Sequence, residues 1–171
     1  MCFAIAEGKP DPRYTTRGAI YVPAEDGVTR WFDSGVSTTK LQAASTHGSI
    51  GLIEVSFPPG TGPAAHAHAD TDETFYLLSG ELEMLGGDAH FRVGPGDLVF
   101  VPRGSRHGFT NLGLHPARVL ILFTPGGLEG IFVEGGQEAQ PGVPVPPWGA
   151  ERWTNPFFVE LFRKYRTEAL P

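Results

Sequence analysis

The chain has 171 residues and is 40% hydrophobic, which is enough for one sizeable core. Its formal net charge of −6 argues against nucleic-acid binding, which needs a basic surface. Its single cysteine, Cys2, excludes an intramolecular disulfide bond and fits a reducing compartment. We find neither a leader peptide pattern nor an apolar run of about 18 residues, so we expect a cytoplasmic protein without membrane spans.

The 23 glycines and 16 prolines stand among many β-branched and aromatic residues, which indicates short strands separated by turns. The first β-like patch is residues 19–22, and residues 30–123 are nearly all strand and turn. Within that region Ser79-Gly80 predicts a tight hairpin between two of the strands. The predicted strands are residues 36–44, 49–57, 73–78, 81–85, 89–93, 98–101, 107–111 and 117–124. This spacing predicts an all-β sandwich or barrel.

The pattern changes after Pro125. Apolar residues three and four apart predict a short amphipathic helix over 127–134, and 135–150 is a linker rich in glycine and proline. Asn155-Pro156 is typical of a helix start, with Asn as the cap and Pro in the first turn. The apolar stripe of this last helix is expected to pack on the barrel or on a second subunit, and it consists of Phe158, Leu161, Phe162 and Tyr165.

The stretch PGTGPAAHAHADTDETFYLLSG, residues 59–80, holds the strongest chemical signal. Alternate residues of a strand share a face, so the imidazoles of His66 and His68 can reach one point. If the following loop turns the chain back, Glu73 opens the next strand beside them. Imidazole and carboxylate together suit a divalent transition metal. His107, which opens a strand after a loop of Pro and Gly, is the natural fourth ligand, and such a set leaves coordination positions open for catalysis.

Most other polar residues near this pattern have ordinary interpretations. We interpret His47, His90 and His115 as surface or core histidines without a metal role. Asp70 and Asp72 are interpreted as turn residues rather than as ligands.

Two motifs resemble the cupin superfamily. Gly60-x5-His66-x-His68-x4-Glu73-x6-Gly80 is similar to the first cupin motif, and Gly96-x5-Pro102-x-Gly104-x2-His107-x3-Asn111 is similar to the second. The resemblance implies an all-β fold, a cupin jelly-roll β-barrel with short C-terminal helices. We expect one cupin domain over residues 1–171, with a barrel core at 36–124 and a helical tail at 126–171. The resemblance also implies one divalent transition metal per chain (Fe, Ni, Co, Mn, Cu or Zn), held by His66, His68, Glu73 and His107.

The residues that share a face with these ligands predict the substrate pocket. Phe75 and Leu77 follow Glu73 with a period of two, and Phe109 and Asn111 follow His107 in the same way. Aromatic and aliphatic walls around a metal favour an apolar, planar small-molecule substrate. The alternative interpretation is that these four residues only fill the core of the barrel.

Three longer stretches of the sequence resemble one group within the cupin superfamily. FPPGTGPAAHAHADTDETFYLLSGELE, VPRGSRHGFTN and FTPGGLEGIF are similar to small single-domain bacterial cupins related to quercetin 2,3-dioxygenase. The proline-rich linker and the pair Trp148 and Trp153 depart from that group. The resemblance implies a metal-dependent dioxygenase for a flavonol-like or other aromatic or enolic substrate. Glu73 would then be both ligand and proton acceptor, Phe75 and Phe109 would stack on the substrate, and the helix at 127–134 would cover the mouth.

Two other functions fit the same residues. One is a non-redox isomerase or lyase in which the metal is only a Lewis acid, and the other is a binding or sensor protein that holds a small ligand without turnover. We also expect a homodimer, because a jelly roll must protect its strand edges and because the C-terminal helix carries an apolar stripe.

Overall fold

A computed structural model describes residues 18–171, so Cys2 lies outside the described residues. The strands in this range are β1 Val28–Phe32, β2 Gly35–Leu41, β3 Gly51–Phe57, β4 His66–His68, β5 Asp72–Ser79, β6 Leu82–Gly86, β7 Ala89–Val93, β8 Leu98–Val101, β9 His107–Thr110, β10 Ala117–Thr124, β11 Gln137–Glu138 and β12 Thr167–Ala169. The helices are α1 Ala43–Thr46, α2 Gly130–Gly135 and α3 Pro156–Lys164, with a 3₁₀ turn at Ala150–Arg152.

The strands form two antiparallel sheets that share one hydrophobic core. The larger sheet has the order β11-β1-β2-β3-β10-β5-β8, and the smaller has the order β12-β4-β9-β6-β7. Strand β3 shows the alternation that builds the core, since Ile53, Val55 and Phe57 are buried and the residues between them are not. Met84 of the smaller sheet belongs to the same buried cluster. The predicted all-β jelly-roll fold is confirmed, including the short helices near its C-terminal end.

Local patterns located most strands of the barrel, and the structure changes the bounds or the type of three predicted elements. Residues 19–22 form no strand. The strand predicted at 36–44 ends at Leu41, because Ala43–Thr46 is helical and the Glu129 carboxylate accepts a hydrogen bond from the Ala43 backbone N–H at 2.7 Å. The helix predicted at 127–134 is observed at Gly130–Gly135. Glu129, which is distant in the sequence, thus binds the first residue of α1 at a place where the local pattern indicated a strand.

The prediction of a hairpin at Ser79-Gly80 is wrong. Strands β5 and β6 belong to different sheets, so this turn carries the chain round a corner of the barrel. Gly80 has a φ of 85°, and a Cβ there would lie 2.6 Å from the Cα of Ala117. Glycine is needed here because the backbone passes β10 closely in a left-handed conformation.

The C-terminal helix packs on its own barrel. Asn155 caps α3 by accepting a hydrogen bond from the Phe157 backbone N–H at 2.9 Å. Phe158 and Leu161 are each 4% exposed and belong to the buried core cluster, so they are covered within one chain. The apolar stripe therefore does not support a dimer. With nine residues, α3 is the longest helix of the described chain, and no helix there has the length and apolarity that a bilayer crossing requires.

Beyond α3 the chain returns to the smaller sheet. Strand β12 pairs with β4 in antiparallel register, which places Thr167 opposite His68 and Ala169 opposite His66. The Ala69 backbone N–H donates to the carbonyl of Arg166 at 3.0 Å. The tail thus forms the strand next to the two alternating histidines, although nearly 100 residues separate them in the sequence.

Candidate metal centre

The four predicted ligands come from three strands and meet inside the barrel. Strands β4 and β9 are neighbours in the smaller sheet, and His66 stands directly opposite His107 in their register. Glu73 reaches the same point from β5 of the larger sheet. Each of the four side chains offers one ligand atom, and these four atoms lie within 4.8 Å of one another. The four residues are His66, His68, Glu73 and His107.

Backbone carbonyls orient two of the imidazoles. His66 Nδ1 lies 2.8 Å from the Ala64 carbonyl, and His107 Nδ1 lies 2.9 Å from the Ser105 carbonyl. A carbonyl oxygen can only accept, so both Nδ1 atoms carry hydrogen. In neutral imidazoles the Nε2 lone pairs are then free to bind an ion, which is the usual arrangement of metal-binding histidines.

A hydroxyl from the tail orients the third imidazole. His68 Nδ1 lies 3.0 Å from Thr167 Oγ1, across the pairing of β4 with β12. A hydroxyl can donate or accept, and acceptance by Thr167 would give His68 the same tautomer as the other two histidines. Sequence reasoning missed Thr167, because a three-residue strand at the far end of the chain carries no local signal.

Glu73 is the negative centre of the cluster. Its Oε2 lies 2.8 Å from His107 Nε2 and 3.3 Å from His68 Nε2, and the side chain is buried. Burial opposes ionisation, but hydrogen bonds from His107 and His68 outweigh it and lower the pKa of Glu73 to about 2. Burial likewise opposes a charge on His107, yet its hydrogen bond to Glu73 raises the pKa of that imidazole. Glu73 is therefore a carboxylate at neutral pH.

His66 is neutral over the same range. Burial lowers its pKa to about 4, and the positive field of His107 acts in the same direction. A neutral imidazole and an ionised carboxylate are the forms that coordinate a metal. His66 and Glu73 are thus already in the forms that bind a metal, and a metal ion would displace the Nε2 proton with which His107 bonds Glu73.

The donor set fits one divalent transition metal ion. Ligand atoms at about 2.0–2.2 Å from an ion are separated by up to about 4.2 Å. The observed spread of up to 4.8 Å is close to that limit, so a small contraction would suffice. Three imidazoles and one carboxylate suit iron, nickel, cobalt, manganese, copper or zinc and leave one or two positions for other ligands. The cluster is able to hold a metal ion.

The cluster opens into a cavity of about 450 Å³. Its wall is mostly apolar, and Phe75 and Phe109 lie on it together with His66, His68 and Glu73. Leu128, Ile131 and Phe132, at and just before α2, form another part of the wall. A volume of this size is typical of a small-molecule binding site.

Two residues that were predicted for the pocket lie elsewhere. Leu77 is 1% exposed and Asn111 is fully buried, but neither is among the residues that line the cavity. The Asn111 side chain donates to the carbonyls of Phe57 and His115 at 2.9 Å each. The side-chain oxygen of Asn111 also accepts a hydrogen bond from the Gly113 backbone N–H at 2.8 Å. Asn111 therefore holds the loop after β9 in place.

Other cavity residues were not anticipated, because they come from distant parts of the chain. Asp33 lies between β1 and β2, Trp153 precedes α3, and Phe162 is on α3. The stripe pattern of α3 indicated that Phe162 is buried, but nothing in the sequence placed it beside a cavity.

The acids beside the motif lie outside the cluster. The Arg166 guanidinium donates to Asp70 at 2.7 Å, and that of Arg103 donates to Asp72 at 2.8 and 2.9 Å. The Arg103 hydrogen bonds lower the pKa of Asp72 to about 2. The first pair connects the loop after β4 to the tail, and the second connects the loop before β9 to Asp72, which is the first residue of β5 and not a turn residue.

The histidines interpreted as ordinary are also separate from the cluster. His47 caps the C-terminal end of α1 with a φ of 54°, His90 is exposed on β7, and His115 lies in the loop before β10.

Comparisons with known proteins agree with the fold and with the two motifs. Residues 53–123 match the family model described as "Cupin domain". The chain is 33% identical over 87 residues to the tetracenomycin polyketide synthase protein TcmJ of Streptomyces glaucescens, over 51% of this chain and 57% of that protein. It is 27% identical over 117 residues to quercetin 2,3-dioxygenase of Bacillus subtilis, over 67% of this chain and 34% of that protein. The matched part thus spans about half of the first relative and a third of the second.

A solved structure supports the same fold. The chain superposes with a TM-score of 0.58 on the crystal structure of a predicted oxalate decarboxylase from Thermotoga maritima, which is 18% identical and matches 62% of this chain and 99% of that one. At that identity the likeness concerns the fold alone. The two motifs, the two-sheet barrel with its three histidines and one glutamate, and the domain match agree, and they identify residues 53–123 as a cupin domain.

Proposed function

We propose that this cupin is a metal-dependent dioxygenase that cleaves a flavonol-like or other aromatic or enolic substrate with O2. The observation that carries the proposal is the opening of a four-ligand metal cluster onto an apolar cavity of about 450 Å³. The similarity to a quercetin 2,3-dioxygenase is in line with it, although only a third of that enzyme is matched.

Each side chain of the centre has a role in this proposal. His66, His68, Glu73 and His107 would hold one divalent transition metal, a Lewis acid that favours the anionic form of a coordinated substrate hydroxyl. Glu73, ionised at neutral pH and directed at the same point, is the proposed acceptor of that hydroxyl proton.

The walls of the cavity would bind and orient the substrate. Phe75 and Phe109 lie on the wall with ring centroids 5.7 Å apart in an edge-to-face arrangement, so each leaves a face or an edge for an aromatic ligand. Ile121 and Phe123 of β10 extend the apolar surface and would exclude water from the bound substrate. Leu77 and Asn111 would act only by supporting this wall.

Oxygen consumption by metal-reconstituted protein tests the proposal. Protein loaded with each of the six candidate metals would be incubated with flavonols in an oxygen electrode, while substrate loss is followed by absorbance. We expect substrate-dependent oxygen uptake with at least one metal, and its loss in His66→Ala. The exposed His90 supplies a matched control, since His90→Ala removes an imidazole that does not belong to the cluster.

Other outcomes distinguish the remaining functions. Turnover of a substrate by zinc-loaded protein without oxygen would contradict the dioxygenase and favour a lyase or isomerase. A flavonol that stays bound and unchanged in air would contradict catalysis and favour a binding or sensor protein.

We also propose that the protein is a cytoplasmic, single-domain chain that acts as a homodimer. Strand β8 ends the larger sheet, and on its outer face Leu98 and Phe100 are 62% and 54% exposed beside Tyr76 of β5. Within residues 18–171 no strand pairs with the outer edge of β8, and such an edge with an apolar outer face favours pairing with a second copy. Light scattering after size exclusion tests this: we expect a dimer for the wild type and a monomer for Leu98→Lys. Leu114→Lys, at a 91% exposed loop position, should leave the dimer intact.

A further inference from the structure

Among residues 18–171, one carboxylate stands on the cavity wall away from the metal cluster, that of Asp33. Asp33 and Ser34 form the two-residue turn between β1 and β2, with φ angles of 47° and 63°. Positive φ at both positions is the mark of a type I′ hairpin turn, in which Asp, Asn and Gly are favoured. The turn explains why a short polar residue is tolerated here, and Asn or Gly would satisfy it equally well. It does not explain a carboxylate on the wall of a ligand cavity.

The cavity wall beside Asp33 is aromatic. Phe32, Phe132 and Trp153 line the same cavity, and the rings of Phe132 and Trp153 lie 4.8 and 5.9 Å from that of Phe32. Within residues 18–171, no side chain or backbone group forms a hydrogen bond or ion pair with the Asp33 carboxylate. Burial without a compensating charge raises the pKa of this carboxyl to about 6, so it is still ionised at neutral pH. A partly buried charge without a partner has unused capacity to accept hydrogen bonds.

Asp33 and the metal cluster occupy different parts of the wall. Asp33 follows β1, whereas Glu73 lies on β5, and three strands separate β1 from β5 in the larger sheet. Four strand spacings amount to roughly 19 Å along the sheet surface. The curvature of the barrel shortens the direct path and closes one cavity around both groups.

We propose that Asp33 is a specificity-determining residue that accepts a hydrogen bond from the end of the substrate remote from the metal centre. This inference rests on the proposed function and narrows its substrate class. The substrate is then an elongated aromatic molecule with metal-binding oxygens at one end and a hydrogen-bond donor, a hydroxyl or an amine, at the other. The aromatic walls between the two polar ends would hold the body of the molecule.

Equilibrium binding of matched ligands tests the role of Asp33 without turnover. Zinc-loaded protein would be titrated anaerobically with 3-hydroxyflavone and with its 4′-hydroxy and 7-hydroxy derivatives, with dissociation constants measured by calorimetry. We expect the wild type to bind at least one derivative about tenfold more tightly than the parent compound, as one hydrogen bond to a charged group would give. In Asp33→Asn this preference should fall to about twofold or less.

Asp88→Asn is the matched control. Asp88 is an exposed acid in the short turn between β6 and β7, so its replacement removes the same charge from a comparable hairpin. The preference for the hydroxylated ligand should persist in this variant.

The outcomes separate this inference from the proposed function. The role proposed for Asp33 is wrong if the wild type binds 3-hydroxyflavone and binds neither derivative more tightly than this parent compound. It is also wrong if the preference survives Asp33→Asn. In both cases the proposed function stands. If the wild type binds none of the three compounds, the flavonol-like substrate is wrong, and the role of Asp33 is wrong with it.

Discussion

The two ends of the cavity are built in different ways. At the metal centre, strands of both sheets hold the ligands, and each Nδ1 of the three histidines has a hydrogen-bond partner. At the other end, a hairpin turn and the α3 region form an aromatic wall, and the one carboxylate there has no partner within residues 18–171. Fixed side chains suit chemistry at a metal, whereas an unpaired acceptor in an apolar wall suits recognition of a ligand.

The two ends also depend on the tail differently. At the metal centre the tail contributes one strand, β12, which pairs with β4 and places the Thr167 hydroxyl 3.0 Å from His68 Nδ1. At the far end it contributes much of the wall, because Trp153 and Phe162 stack with ring centroids 5.9 Å apart and both face the cavity. Substitutions in the tail should therefore change ligand binding and stability more than they change the metal content.

The largest effect should follow from removing a ligand at the metal centre. His107→Ala takes away a buried imidazole that both faces the metal position and bonds Glu73 at 2.8 Å. We expect bound metal to fall from about one ion per chain to less than about a tenth, because the substitution removes one ligand and also the hydrogen-bond partner of a second, Glu73. Elemental analysis measures this, with circular dichroism to verify the fold. Equal metal contents in the variant and the wild type would remove His107 from the centre.

The next effect concerns the far end alone. Phe158 is 4% exposed and packs with ring centroids 5.6 Å from Trp148 and 5.5 Å from Trp153. Phe158→Ala should lower the free energy of unfolding by about 3–4 kcal/mol, because it opens a hole beneath the tail. The metal content of the folded variant should not change.

A neighbouring residue supplies the control for that prediction. Phe157 is 53% exposed, so Phe157→Ala should cost less than about 1 kcal/mol in urea unfolding. If Phe158→Ala also released the metal, the two ends would be coupled more strongly than their contacts indicate.

A smaller effect is expected where the tail meets the metal centre. Thr167→Val keeps the shape of the side chain but removes the hydroxyl that lies 3.0 Å from His68 Nδ1. Loss of such an orienting contact should weaken metal affinity about tenfold. Competition with a chelating dye measures this, and Thr154→Val serves as control because its hydroxyl donates only to the Glu151 carbonyl. An unchanged affinity would mean that packing alone orients His68.

The smallest effect tests the charge at the far end. The folded pKa of Asp33, about 6, lies above its ordinary value of 3.8, so the folded chain binds this proton more tightly than the unfolded chain. Ionisation therefore costs stability; the cost is absent below pH 3.8 and complete above pH 6. With solvent screening taken into account, Asp33→Asn should stabilise the protein by about 1 kcal/mol at pH 8 and by almost nothing near pH 4.

Urea unfolding at the two pH values measures this difference. Asparagine keeps the turn, because it also tolerates positive φ. An equal gain in the free energy of unfolding at both pH values would mean that the substitution acts through the turn and not through the charge. A charge that is retained at a cost to stability is a common property of functional sites.

The sequence alone predicted the four residues of the candidate metal cluster and most strands of the barrel, because that information is local. The alternation of His66 and His68 follows from the two-residue period of a strand, and the spacing to Glu73 and His107 follows from the motifs. The start of α3 was equally readable, since Asn155 and Pro156 act on the first turn of the helix itself. Such signals need no knowledge of what packs against them.

Only the tertiary structure decided which strands pair and which side chains share the cavity. Nothing near Ser79-Gly80 says that β5 and β6 belong to different sheets, because that depends on the pairing of β5 with β8 and β10. Thr167 meets His68 from 99 residues away, and Asp33 and Trp153 line one cavity because the Trp153 ring packs on Phe32 of β1. These contacts depend on how apolar surfaces distant in the sequence are buried together, which no local pattern encodes.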